Sequence, residues 1–150
     1  MAGGKRPSDA IPANLAHRLD AALGGQIALR GYETDVQADR LALALYWQAL
    51  AAPTADYTVF VHVLDRDGTI VAQYDGPPAG HELPTRAWTP GDTVADMISI
   101  PLPSSLPPGA YRVIAGLYDA ATGARLTVAG DGSSPVDIVP LGGITWPPRQ

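Results

Sequence analysis

An acidic turn near the middle of the chain is the first place where metal chemistry could reside. Asp65, Asp67 and Gly68 belong to the tetrapeptide Asp-Arg-Asp-Gly, which resembles the opening of an EF-hand calcium loop. Such a loop supplies a bidentate glutamate at its twelfth position, and counting from Asp65 that position is Gly76. The same four residues are typical of a hairpin turn in which glycine supplies a positive φ angle. We therefore expect a turn here and no metal site.

The residue types needed for catalysis are present but are not arranged for it. His17, His62 and His81 lie in three separate segments, and their spacing does not indicate a zinc site. The pair Ser104-Ser105 lies between prolines, and the chain contains no Gly-x-Ser-x-Gly elbow. Scattered acidic residues leave a glycosidase carboxylate pair as an open alternative, although most aspartates fall in turns. We expect a non-catalytic protein with no catalytic residue and no cofactor.

Charge and composition exclude several further classes of function. The net charge is -5, and Lys5 is the only lysine, so a nucleic-acid surface with clustered basic residues is not expected. The chain has no cysteine, which excludes thiolate chemistry and iron–sulfur clusters. No apolar run reaches the ~18 residues of a membrane-spanning helix. We expect no nucleic-acid partner and no membrane span in this chain.

Short apolar runs with a period of two residues indicate β-strands along most of the chain. The 15 prolines and 16 glycines fall between these runs, as turns between strands do. The expected strands cover residues 26–34, 41–48, 57–64, 70–74, 93–102, 111–118 and 125–129, followed by a last strand from residue 136. Residues 41–48 are rich in leucine and alanine and would favour a helix by propensity, but their strict alternation favours a strand.

One corner motif points to the arrangement of these strands. Tyr111 follows Pro107, Pro108 and Gly109, which suits a tyrosine corner, where the tyrosine hydroxyl donates to a carbonyl a few residues upstream. No crossover helices separate the strands, so a parallel sheet is not expected. The sequence therefore predicts an all-β protein, an immunoglobulin-like antiparallel β-sandwich of seven to nine strands.

The sandwich is expected to span residues 24–146, with a flexible leader or lead-in segment at residues 1–23 and a tail at residues 147–150. Within the leader, Leu15, Leu19 and Leu23 have helical spacing, and Gly24 would end such a helix. The alternative is an extended lead-in to the first strand. The sequence leaves both interpretations open.

Several motifs that occur in one order, over residues 26–139, resemble a known family. They are Leu43-Ala-Leu-Tyr-Trp-Gln-Ala, Tyr57-Thr-Val-Phe-Val-His-Val-Leu-Asp, Pro84-Thr-Arg-Ala-Trp-Thr-Pro-Gly-Asp and Leu106-Pro-Pro-Gly-Ala-Tyr. Together they resemble the C-terminal extracytoplasmic β-sandwich domain of bacterial multi-pass membrane proteins that look like dolichyl-phosphate-mannose-type glycosyltransferases. The resemblance implies an accessory domain outside the cytoplasm, in a membrane-anchored parent protein whose catalytic residues lie elsewhere.

Two of the expected strands carry apolar side chains on both faces. If alternate residues of 57–64 face the core, Phe60 and His62 point outward, and Ile114 and Tyr118 do the same in 111–118. In an immunoglobulin-type sandwich these two strands are neighbours. The four side chains would then form an aromatic patch on an outer sheet face.

This patch is either covered by the chain or offered to a partner. Residues 75–92, which include Trp88, or one of the termini would be the cover. As a binding site, the patch with Trp88 would stack on a sugar ring or would dock against another domain of the parent protein. The candidate ligand-binding residues are Phe60, His62, Trp88, Ile114 and Tyr118. A concave, solvent-exposed patch would indicate glycan recognition and a flat one docking, whereas complete cover by residues 75–92 would indicate a structural spacer.

Overall fold

Two antiparallel sheets packed face to face make up the domain. The structure, a computed structural model, describes residues 11–78, 84–129 and 136–148. Its strands are β1 (His17–Leu23), β2 (Ile27–Val36), β3 (Arg40–Ala49), β4 (Tyr57–Leu64), β5 (Ile70–Gly76), β6 (Thr93–Pro101), β7 (Gly109–Asp119), β8 (Val128–Ala129) and β9 (Val139–Trp146). A 3-10 turn, Thr85–Ala87, precedes β6. Within the described ranges, no helix is long and apolar enough to cross a membrane.

The strand order is that of an immunoglobulin-like sandwich. One sheet has the order β6-β3-β2-β1-β8, and the other has the order β5-β4-β7-β9. In the letters used for immunoglobulin domains, β2, β3 and β6 correspond to A, B and E, and β5, β4, β7 and β9 correspond to C′, C, F and G. The predicted all-β sandwich is confirmed, and β1 and β8 extend its first sheet.

Strand β3 shows how packing decides between helix and strand. It pairs with β2 on one side and β6 on the other, so it lies inside the sheet with neighbouring strands along both of its edges. Its alternate residues Leu41, Leu45 and Trp47 are fully buried between the sheets. Each such side chain stabilises the fold by about 1.5–3 kcal/mol relative to an exposed one. That burial exceeds the few tenths of a kcal/mol by which leucine and alanine favour a helix.

The sandwich begins before residue 24, the start that was predicted from the sequence. Residues 17–23 form β1, so the extended interpretation is correct and the helix is wrong. The physical reason is the turn that follows. Gly24 and Gly25 adopt φ angles of 61° and 69°, and the Gln26 amide donates to the Leu23 carbonyl at 3.0 Å. Two positive φ angles make a hairpin turn that folds β1 back onto β2, with Leu23 opposite Ile27.

The predicted tyrosine corner is present at the start of β7. The Tyr111 hydroxyl donates to the Pro107 carbonyl, four residues upstream. Trp146, at the end of β9, is buried and donates its indole N–H to the Leu106 carbonyl at 3.1 Å. Both donors therefore hold the same proline-rich corner against the end of the core.

Replacing Tyr111 with phenylalanine tests the corner. The variant Tyr111→Phe keeps the ring but leaves the Pro107 carbonyl without this donor, so the free energy of unfolding should fall by about 1–2 kcal/mol. Urea unfolding monitored by circular dichroism measures the loss. Tyr118→Phe is the matched control, because its hydroxyl bonds in an exposed position. Equal losses in the two variants would contradict a structural role for the corner.

Candidate functional site

The structure brings four of the five predicted site residues together. Phe60 and His62 lie on the outer face of β4, while Val59, Val61 and Val63 are fully buried against the other sheet. The ring centroids of Phe60 and His62 are 5.1 Å apart, and those of Phe60 and Tyr118 are 6.2 Å apart. In the β4–β7 ladder, His62 lies opposite Ile114.

Phe60 is the centre of this cluster, and it is covered. Only 1% of the residue is exposed. Gly116 lies opposite it on β7, and a Cβ atom at that position would be 2.5 Å from the ring carbon Cε2. The Arg125 guanidinium lies over the ring, 4.3 Å from its centroid, which is the geometry of a cation–π contact. Phe60 is therefore packed within the protein, and it does not offer an open ring face on which a ligand could stack.

The cover over Phe60 comes from the segment between β7 and β8. Arg125 forms an isolated bridge with Tyr118, and the Leu126 amide donates to the Leu117 carbonyl at 2.9 Å, so the chain turns back along β7. The Arg125 guanidinium also approaches the Asp137 carboxylate at 3.5 Å. The expectation that residues 75–92 or a terminus would cover Phe60 is corrected, because residue 125 does so.

Trp88 does not join the cluster. It is 2% exposed and packs in the main core between the sheets, so a ligand on the outer face of β4 cannot reach it. The preceding 3-10 turn explains its position. Thr85 is fully buried, donates to the Ala55 carbonyl at 2.7 Å and accepts the Tyr57 amide at 2.9 Å. These bonds attach the turn to the start of β4 and direct Trp88 inward. His81 lies outside the described residues.

Polar side chains surround the covered phenylalanine, and several of them were not predicted. The Tyr118 hydroxyl donates to the Asp75 carboxylate at 3.1 Å, and the Gln73 amide donates to the same carboxylate at 3.2 Å. In the β4–β5 ladder, Gln73 lies opposite His62 and Asp75 lies opposite Phe60. We call this set, His62, Gln73, Asp75, Tyr118 and Arg125, the polar rim. All five side chains are at least partly exposed.

The polar rim has a defined electrostatic character. Burial, followed by the charge of Arg125, lowers the pKa of His62, and the Asp75 carboxylate opposes this effect. Burial and the hydrogen bond to Asp75 raise the pKa of Tyr118. At neutral pH the rim therefore presents a neutral imidazole, a phenolic hydroxyl, an amide and a carboxylate, together with the Arg125 guanidinium, which is engaged by Phe60 and Asp137. These groups donate and accept hydrogen bonds without requiring a charged ligand.

The acidic turn at residues 65–68 is a hairpin turn between β4 and β5. The Asp65 carboxylate accepts the backbone amides of Asp67 and Thr69, both at 2.9 Å, and Gly68 adopts a φ of 82°. The Asp65 carboxylate thus stabilises the turn through these two hydrogen bonds. Among the residues that the structure describes, no group of three or more metal-binding side chains occurs.

Comparisons with known proteins support the fold. No family model matches the sequence, and no curated protein is detectably similar to it. Five solved chains have a similar structure. One of them is the C-terminal domain of wzt, with a TM-score of 0.51, 12% sequence identity, and coverage of 88% of this chain and 77% of that one. At this identity the likeness shows a shared fold.

The contact between Gly116 and Phe60 generates a stability prediction. The variant Gly116→Ala places a methyl group against a ring that Arg125 holds from above, so the free energy of unfolding should fall by about 1–3 kcal/mol. The matched background is Phe60→Leu, which lacks the ring atoms that meet the new methyl group. There Gly116→Ala should cause a smaller loss, measured by a double-mutant cycle in urea. The same loss in both backgrounds would show that the ring is not the obstacle.

The environment of His62 generates a pH prediction. Its folded-state pKa lies below the value of about 6.5 in the unfolded chain, so the free energy of unfolding falls as the pH drops from there through the folded-state pKa. Imidazole NMR titration should show that Arg125→Gln raises the pKa of His62 and that Asp75→Asn lowers it, because these charges act in opposite directions. Shifts of the same sign in both variants would refute this account.

Proposed function

We propose that this domain is a non-catalytic glycan-recognition module and that the polar rim is its binding face. The observation that carries the proposal is the hydrogen-bonded set of Tyr118, Asp75 and Gln73 beside His62 on an exposed sheet face. The hydroxyl groups of a sugar both donate and accept, so they complement a carboxylate, an amide and a neutral imidazole. The half-buried rings of His62 and Tyr118 would contact the apolar C–H faces of the sugar.

The charges near the rim favour a neutral sugar over an acidic one. Asp75 is exposed and accepts two hydrogen bonds, whereas the nearby guanidinium of Arg125 is engaged by Phe60 and Asp137. A carboxylate or phosphate on the ligand would meet Asp75 and Asp137, in a chain whose net charge is already -5. A neutral hexose avoids this repulsion.

The wider biological setting is also part of the proposal. The motif resemblance supports an accessory domain outside the cytoplasm, attached to a membrane-anchored parent of the glycosyltransferase type. The fold that this chain shares with the C-terminal domain of wzt supports only the general part of this proposal, the accessory role. Catalysis, in this proposal, belongs to the parent protein, and this domain contacts a glycan or a lipid-linked sugar.

A protein-docking or spacer domain is the second candidate. It is favoured by one observation, the burial of Phe60 and Ile114, which leaves the polar rim without an open aromatic platform. Such a face would pack against another domain of the parent protein. The two candidates differ in whether a free sugar alone perturbs the rim.

A two-dimensional amide NMR titration with pooled neutral oligosaccharides tests the proposal. Saturable shifts are expected at Gln73, Asp75 and Tyr118, and Tyr118→Ala or Asp75→Asn should weaken binding by about tenfold or more, which corresponds to about 1.4 kcal/mol. Glu33→Gln, on the outer face of the other sheet, should bind like the unaltered protein. The indole signals are poor reporters, because all three tryptophans are buried.

An unchanged spectrum at millimolar sugar would overturn glycan recognition and leave the docking or spacer role. Shifts spread evenly over both sheets would also contradict the proposal, because they would indicate weak nonspecific contact instead of a site at the polar rim.

A further inference from the structure

The two sides of the Phe60 ring are covered in different ways. Towards the sheet, the ring packs against Gly116, its partner residue on β7, where a Cβ atom would be 2.5 Å from the ring carbon Cε2. The outward side is covered by the Arg125 guanidinium, whose central carbon lies 4.3 Å from the ring centroid. Backbone therefore closes the inner side, whereas rotation of the Arg125 side chain would open the outer side.

Arg125 reaches the ring along the outer face of the sheet. It lies opposite Tyr118 in an isolated antiparallel bridge, on the edge of β7 that faces away from β4. Residues directly opposite each other in such a bridge point to the same face, and Tyr118 points outward. The Arg125 side chain consequently crosses β7 on its outer face and ends over Phe60 of β4.

The contacts that hold the guanidinium over the ring are weak. Its ion pair with Asp137 has an N–O distance of 3.5 Å, and the two side chains are 40% and 48% exposed. A cation–π contact and an ion pair at exposed positions each shift an equilibrium by about fivefold or less, because water competes for the charged groups. Together they favour the covered arrangement by about 25-fold or less, so the uncovered arrangement has a population of about 4% or more.

An uncovered Phe60 ring would form the floor of a small aromatic site. The imidazole of His62 and the phenol of Tyr118 flank it, with ring centroids 5.1 and 6.2 Å away. Asp75 lies opposite Phe60 on β5, and its carboxylate accepts a hydrogen bond from the Tyr118 hydroxyl at 3.1 Å. An aromatic floor bordered by hydrogen-bonding groups matches a pyranose ring, in which hydroxyl groups surround an apolar C–H face.

We propose that the outward face of Phe60 is a sugar-stacking subsite and that the Arg125 guanidinium is its displaceable cover. This inference rests on the proposed glycan recognition and adds a second contact beneath the polar rim. The ligand class is a neutral pyranose with equatorial hydroxyl groups, because axial hydroxyl groups would interrupt the C–H face that lies on the ring. The sugar takes the place of the guanidinium, so Arg125 lowers the measured affinity according to how much of the time it covers the ring.

The cover can be tested without any sugar. Phe60 is the chain's only phenylalanine, so ring-¹³C-labelled phenylalanine gives NMR signals from this ring alone. In Arg125→Ala, a neutral nitroxide dissolved in the solvent should broaden these signals severalfold more than in the unaltered protein. Arg112→Ala is the matched control and should leave the broadening unchanged, because Arg112 lies on the same outer face, opposite Leu64. Amide spectra of each variant verify the fold.

The subsite is tested with methyl β-cellobioside, a neutral sugar whose ring hydroxyl groups are equatorial. Amide NMR titration should show that Arg125→Ala binds it about five- to 25-fold more tightly than the unaltered protein, because the cover no longer competes. Arg112→Ala should bind it like the unaltered protein. In a Phe60→Leu background, removal of the Arg125 side chain should produce no gain, since the stacking ring is absent.

The possible failures of this inference are distinguishable from failure of glycan recognition. Unchanged broadening in Arg125→Ala would overturn the cover and leave recognition by the polar rim intact. Equal affinity of Arg125→Ala and the unaltered protein, with shifts at Gln73 in both, would overturn the subsite and still leave the rim as the binding face. An accessible ring in Arg125→Ala, with no binding of methyl β-cellobioside or the pooled oligosaccharides by any variant, would overturn glycan recognition and the subsite with it.

Discussion

The pairing of β4 with β7 is the constraint on which the rest of the structure depends. Eight consecutive residue pairs run from Tyr57 opposite Asp119 to Leu64 opposite Arg112 without a bulge. This register sends Val59, Val61 and Val63 into the core and sets Phe60 against Gly116 on the outside. A slip of one residue would exchange the two faces, exposing valines and burying His62. The core and the polar rim are therefore two consequences of one ladder.

The two outer faces of the sandwich present different kinds of surface to solvent. On the four-stranded sheet, the aromatic residue Phe60 is covered by a guanidinium and surrounded by hydrogen-bonding groups. On the five-stranded sheet, alanines leave a shallow floor, and Leu15 covers one end of it. The first surface presents oriented polar groups, and the second presents an open groove whose edge carries Glu33 and Asp35.

Much of the fold could be predicted, because the alternation of inward-facing and outward-facing residues is a local property of each strand. The two faces of β4, the turn at residues 65–68 and the corner at Tyr111 each depend on residues close in sequence, and all three are present. The clustering of Phe60, His62, Ile114 and Tyr118 followed from the additional assumption that their strands are neighbours. The role of β1 was harder to predict, since leucines at helical spacing are also compatible with a strand when a hairpin turn follows.

By itself, the sequence determined that the chain forms an antiparallel sandwich with an aromatic cluster on one outer face. Only the tertiary structure decided what covers that cluster. Arg125 reaches Phe60 because the chain turns back after β7, and Trp88 enters the core because Thr85 is hydrogen-bonded to the start of β4. Both outcomes depend on contacts between residues distant in sequence. A period of two residues specifies which face a side chain occupies, but it carries no information about the segment that will pack over it.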